Sequence, residues 1–340
     1  MSVARLTAAL LLALVALTGC AKKQEVVAQT AADKELTARE IDDDPLALLP
    51  GGAIGLFYVD TQKLFASEFG QKVLAMARAR SPLPESAGFD PARDLQSAYI
   101  GSYSMQGVDV AAVLTGAFDR EKIEKAAEST EQTALGAPVV KSTYAGRTLY
   151  TARNVGFVVL TPRTVLAGTE TGIRRALDRI KEGRAKRQLP EWMSKLLTTP
   201  NASIAGGVDL RSQPVSDAAR AQLPFLNDLE TARILGNFEP PGLNFAGTLT
   251  YTDEAAAARG AEAVRQLHET LQSYRFLMAI IGIAQPVQKL EAEAQGKDTR
   301  FVVGLEGQAI VRLLDKAEQF LGLPSSSEPV PATLHPGVSR

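Results

Sequence analysis

The sequence of 340 residues is poor in the side chains that most catalytic and metal sites need. It holds one cysteine, Cys20, so no disulfide can form within the chain and stability must come from apolar cores. It holds two histidines, His268 and His335, and one tryptophan, Trp192. With so few imidazoles and thiols, tetrahedral zinc sites and Ser/His or Cys/His catalysis are poorly supplied. Neither sign of charge dominates: 37 basic and 38 acidic residues leave a net charge of −1, which gives no field to attract nucleic acid. Long apolar runs are missing too. The best internal one, 276–284, is about half of the roughly 20 residues that a membrane-spanning helix needs, and it reads as a buried helix. No Gly-x-Ser-x-Gly elbow or Ser-x-x-Lys occurs. Gly296-Lys297-Asp298-Thr299 only faintly resembles the end of a phosphate loop, and Glu291 stands where the first glycine is required.

The amino terminus is better supplied. Arg5 is followed by an almost wholly apolar stretch, 6–17, which has the length of a signal-peptide core. Leu17-Thr18-Gly19-Cys20 then resembles the lipobox of bacterial lipoproteins. That resemblance implies cleavage before Cys20, lipidation of its thiol and membrane attachment through acyl chains, each CH₂ adding roughly 0.8 kcal/mol of anchoring. It also implies a periplasmic location. The residue after the cysteine is Ala21 rather than Asp, which favours the outer over the inner membrane. Residues 1–19 are thus expected as signal peptide and 20–44 as lipidated cysteine and flexible tether. The tether ends in Asp42-Asp43-Asp44-Pro45, a linker end rather than a calcium loop, which would alternate its ligands and include a glycine.

The body alternates short strand-like and helix-like segments. A strand is expected at 54–60, a helix at 61–79 and a hairpin from 96–103 and 108–115. Asp119 opens a helix to about 131, four short strands follow, and Glu170 begins another helix. The second half repeats this order. Residues 200–210 (PNASIAGGVDL) echo 50–61 (PGGAIGLFYVDT), and 242–250 (GLNFAGTLT) echo 107–115 (GVDVAAVLT). A helix at 253–273, a hairpin over 287–305 and a helix at 308–321 complete it. The expected fold class is α+β: two similar domains, 45–183 and 190–323, each a mainly antiparallel sheet with helices on one face. The Ser- and Pro-rich residues 324–340 read as a disordered tail.

With its strand-Val-Asp openings and Gly88-Phe89-Asp90-Pro91, the layout is similar to uncharacterised duplicated periplasmic lipoproteins of Gram-negative bacteria. That resemblance brings no known activity. Candidate sites are few. Asp60 and Asp209 end equivalent strands and could pair as hydrolase carboxylates, or each could cap the next helix. Arg174, Arg175, Arg179, Lys181, Arg184, Lys186 and Arg187 form a basic stretch near a helix end. The expected function is a membrane-anchored envelope protein with a non-enzymatic binding or structural role. It would have no cofactor, no catalytic or metal residues, an envelope protein as partner and no nucleic acid. A carrier of an apolar ligand, with a groove formed by 276–284, is the alternative; a hydrolase is the weaker one.

Overall fold

The computed structural model describes residues 34–320, apart from 80, 105–108, 130–131, 185 and 274–286, and without the side chains of 317–320. Two short helices, α1 (Ala38–Asp43) and α2 (Pro45–Leu48), open it. Strand β1 (Gly55–Asp60) leads through α3 (Thr61–Ala66), α4 (Gly70–Arg78) and α5 (Pro91–Asp94) to β2 (Leu95–Ser102) and β3 (Val110–Gly116). Helix α6 (Arg120–Ala127) precedes β4 (Val140–Tyr144), β5 (Arg147–Ala152), β6 (Val155–Val159) and β7 (Thr164–Thr169), and α7 (Glu170–Lys181) follows. The second half runs α8 (Glu191–Leu197), β8 (Ile204–Asp209), α9 (Asp217–Gln222), β9 (Leu229–Asn237), β10 (Gly242–Tyr251), α10 (Glu254–Ser273), β11 (Val287–Gln295), β12 (Asp298–Glu306) and α11 (Gly307–Phe320).

The expected α+β class holds, but the strands form one antiparallel sheet rather than two. Its order is β11-β12-β10-β9-β8-β1-β2-β3-β7-β6-β5-β4. Strands β1 and β8, the openings of the two echoed halves, pair with each other from Gly55↔Val208 to Val59↔Ile204. The physical reason is that each would otherwise present an unpaired edge of N–H and C=O groups. Outward from this seam, β1-β2-β3-β7-β6 on one side matches β8-β9-β10-β12-β11 on the other. The first half adds the hairpin β4–β5, whose turn places Ala145 and Gly146 at φ 50° and 78°, the left-handed pair that tight hairpins require.

Helices cover both faces of the first half, not one. One face buries Leu56, Val113 and Leu166 under α7, α1 and α2, through Ile173, Leu177, Ile41 and Leu46. The other buries Leu95, Phe157 and Val165 under α3, α4 and α6, through Phe65, Leu74 and Ile123. Successive strand residues point to opposite faces, so strands such as β6 (VGFVV) are apolar on both sides and read as unbroken runs. In the second half α10 covers Leu249, Leu290 and Phe301, while Trp192 of α8 sits over Gly207 on the opposite face.

Three further expectations change. The helix over 61–79 breaks into α3 and α4, because Ser67 leaves the helical region and its side chain binds the Leu64 carbonyl. Residues 35–44 are not tether. Thr37 and Glu40 form a capping box for α1, and Leu36, Ile41, Leu46, Ala47, Leu48 and Leu49 are all buried. Each large apolar side chain buried there contributes roughly 1.5–3 kcal/mol, ample to order so short a segment. The third concerns α11. It joins its strand three residues later, relative to the β10 pairing, than α7 does, since Ala111 faces Gly168 where Ala246 faces Val302. An odd offset reverses the exit face. Accordingly α11 leans on α4, through Gln308–Glu68 and Lys72–Asp315, whereas α7 packs on the far face. Expectations for 1–33, 105–107, 274–286 and 321–340 lie outside the described residues.

Candidate functional site

The carboxylates that sequence reasoning paired are far apart. Because β1 and β8 are antiparallel, Asp60 lies beside Ser203 and Asp209 beside Ile54. Six residue steps of about 3.3 Å each, from position 54 to 60, separate the two ends, so no cleft joins them. Asp60 accepts from the Lys63 amide at 3.0 Å and caps α3. Asp209 pairs with Arg211, whose hydrogen bond holds the carboxyl below its ordinary pKa. This removes the hydrolase reading for that pair.

The remaining candidates are likewise occupied. Asp42 accepts from the Thr161 and Thr164 hydroxyls, both at 2.6 Å. Asp43 faces Arg39, and Asp44 faces Arg187, so the three carboxylates diverge. Among the described residues no His, Cys, Asp and Glu cluster could hold a metal ion. In the basic stretch, Arg174 pairs with Glu170, Arg175 with Asp109 and Arg184 with Glu182. Arg179 is 2% exposed. It donates to the carbonyls of Ala47 at 2.8 Å, Lys186 at 2.7 Å and Arg184 at 3.3 Å. Burial lowers its pKa, and the Arg184 charge acts in the same direction. These arginines serve the fold, which leaves little for an anionic partner. Trp192 stacks under the Arg233 guanidinium at 4.8 Å, next to the seam between the halves. His268, on α10, lies 3.1 Å from Gln272. Gly296, at φ 58°, turns the β11–β12 hairpin and makes no phosphate loop.

A site absent from that inventory lies on the second half. Between α10 and the sheet is a half-open groove of about 330 Å³. Val264, Leu267 and Leu271 of α10 form one wall. Leu249, Phe301 and Val303 form the floor. Val287 and Leu290 of the edge strand β11 close the side, and Phe225 closes one end. All nine side chains are apolar. The groove exists because α10 is 20 residues long while its buried positions, Ala256, Ala257, Gly260, Ala261 and Val264, stop midway. Beyond Val264 the helix keeps its apolar stripe and leaves room beneath it. Helical spacing of 264, 267 and 271 was visible in the sequence, as was the alternation of Phe301 and Val303. What could not be seen was the gap between them. Sequence reasoning assigned a groove to 276–284, which lie outside the described residues. No described helix is long and apolar enough to cross a membrane.

The chain matches no known family model. It matches no curated protein either. Among solved structures it is similar to crystal forms IV, III and I of TP0453. Form IV is 11% identical over 80% of this chain and 96% of that one, with a TM-score of 0.47. Form III is 11% identical over 79% and 97%, at 0.48. Form I is 9% identical over 80% and 96%, at 0.49.

Proposed function

We propose that the protein is a lipid-anchored envelope protein, attached through Cys20 and facing the periplasm, whose body holds an apolar ligand without catalysis. The observation that carries this reading is the groove under α10. It has the volume range of a small-ligand site, and its lining among the described residues carries no polar side chain. A partner-docking surface is less well supported. The large hydrophobic side chains exposed among the described residues, Val140, Leu223, Val302 and Leu313, lie on separate segments, and scattered residues of this kind are ordinary surface.

Two measurements test the proposal separately. The anchor predicts that Cys20→Ala releases the chain from membranes or stalls its processing; normal processing with full membrane retention refutes it. The ligand predicts that solvent extraction and mass spectrometry of the purified chain recover an apolar compound in stoichiometric amount, and that Leu267→Arg abolishes recovery while the fold is kept. Equal recovery from that variant places the compound elsewhere and overturns the ligand reading.

A further inference from the structure

We propose that the second half carries another site, on the sheet face opposite α10, that takes an uncharged peptide segment through one backbone amide and one aliphatic side chain. The site follows from the exit of α11. That helix leaves the face that its counterpart α7 covers in the first half. Beyond α8, this side of β9, β10 and β12 is exposed at Arg233, Ala246, Arg300 and Val302. Strand alternation places Leu235, Ala246 and Val302 here in one cross-strand row, with Asn237 and Asn244 paired in the next.

A shallow hollow of about 390 Å³ lies over these two rows, walled by residues 199–202. None of the side chains lining it is charged. A free peptide terminus or a charged side chain would find no counter-ion there. Its floor is aliphatic: Leu235 packs against the core under α8, and Val302 is 39% exposed. Alone, Val302 is ordinary surface; beside the asparagine pair it makes half of a site.

The asparagines supply the recognition. Asn244 Nδ2 donates to Asn237 Oδ1 at 3.0 Å and to the Glu239 carbonyl at 2.8 Å. The Glu239 amide donates to the same Asn237 Oδ1 at 3.2 Å. These bonds fix which end of each side-chain amide is nitrogen. Among the described residues they leave Asn237 Nδ2 and Asn244 Oδ1 without a protein partner. One free donor beside one free acceptor matches the C=O and N–H of a secondary amide. Gly304 keeps the space beside Asn244 open, since a Cβ there would lie 3.4 Å from Oδ1. The aliphatic row is two residues along, roughly 7 Å away, within reach of the side chain next to a bound peptide amide. An N-acetyl sugar presents the same amide but sets hydroxyls over that row.

The test titrates N-acetyl-valine N-methylamide into the isotope-labelled full chain carrying Cys20→Ala and follows amide signals by nuclear magnetic resonance. The Asn237 side-chain signals and the backbone signals of Leu235, Ala246 and Val302 should shift together and saturate. N-acetyl-glycine N-methylamide should bind about fivefold more weakly, the loss for a half-buried valine side chain. Asn237→Asp keeps the oxygen that Asn244 and Glu239 use and turns the free donor into an acceptor, so it should weaken binding about tenfold. Should this variant misfold, the position of the wild-type shifts decides alone. No saturable shift, or shifts on another surface, overturns the site. Undiminished binding by Asn237→Asp overturns the amide pairing, and equal binding of N-acetylglucosamine overturns the peptide assignment. All of these outcomes leave the apolar-ligand reading to its own test, since the groove lies on the other face.

Discussion

A guanidinium in a protein interior brings five N–H groups that need acceptors; in Arg179, Nε and Nη2 donate to backbone carbonyls rather than a carboxylate, while the buried Nη1 finds no partner. The carbonyls belong to α2 and to the segment after α7, so one side chain fastens three stretches of chain. Replacing it with methionine keeps the volume and removes the donors, stranding Ala47, Arg184 and Lys186 carbonyls at about 1–3 kcal/mol each where they stay buried. Arg179→Met should lower the thermal midpoint, and hydrogen exchange should speed up at 45–49 and 184–187 before anywhere else. Uniform loss of protection would refute a local fastening.

Tyr251 gives a pH test. Burial pushes its hydroxyl from 10 up to about 12. The native state therefore keeps a proton that the unfolded state gives up, so this stabilisation is full below pH 10 and is lost as pH rises from 10 towards 12. Tyr103, also raised by burial, acts with the same sign. In Tyr251→Phe the fall in denaturation midpoint between pH 10 and 12 should be shallower than in wild type; an unchanged slope refutes the assignment. Neither role was legible in sequence. Arg179 is one of seven cations in a basic stretch near a helix end, and burial of one among seven depends on α2, some 130 residues away.

Among the elements, α7 approaches the sheet closely at Gly172, where only a glycine fits. A Cβ on Gly172 would come within 2.2 Å of the Val110 carbonyl oxygen. Backbone cannot swing aside as a long side chain can, so the helix must lift. Gly172→Ala should cost about 1–3 kcal/mol, the range for overpacked cores, seen as a lower denaturant midpoint with unchanged slope. A neutral result would mean that α7 sits farther from β3 than described. Strands and helices were largely readable, since period-2 and period-3.6 patterns are local properties. The β11–β12 hairpin and α10 fall within a residue or two of expectation. What failed was the face on which each helix lies. It depends on whether strand lengths are odd or even, which a one-residue boundary error reverses. The groove was lost for a related reason: its lining is local pattern, but its emptiness is the distance between α10 and the sheet.

At the scale of the molecule, the seam between β1 and β8 joins the halves through main-chain hydrogen bonds, and the buried Leu56 and Ala205 belong to one core. Dividing the chain at 183–190 would therefore open two interior strands. Expressed separately, 35–187 and 188–323 should each aggregate or dimerise, while the intact body should unfold in one calorimetric transition. Two resolved transitions, or two soluble monomeric halves, would show that the seam is not cooperative. The echo between 50–61 and 200–210 pointed to repetition but not to union, because strand pairing across 150 residues leaves no local signature.

The seam has the geometry of an isologous contact. Equivalent strands meet antiparallel, as two copies of one subunit would about a twofold axis. A half-length chain ending its sheet on that strand would be self-complementary. Joining both halves in one polypeptide fixes their stoichiometry at one to one while leaving their outer elements different: the β4–β5 hairpin on one side of the seam, the groove under α10 on the other.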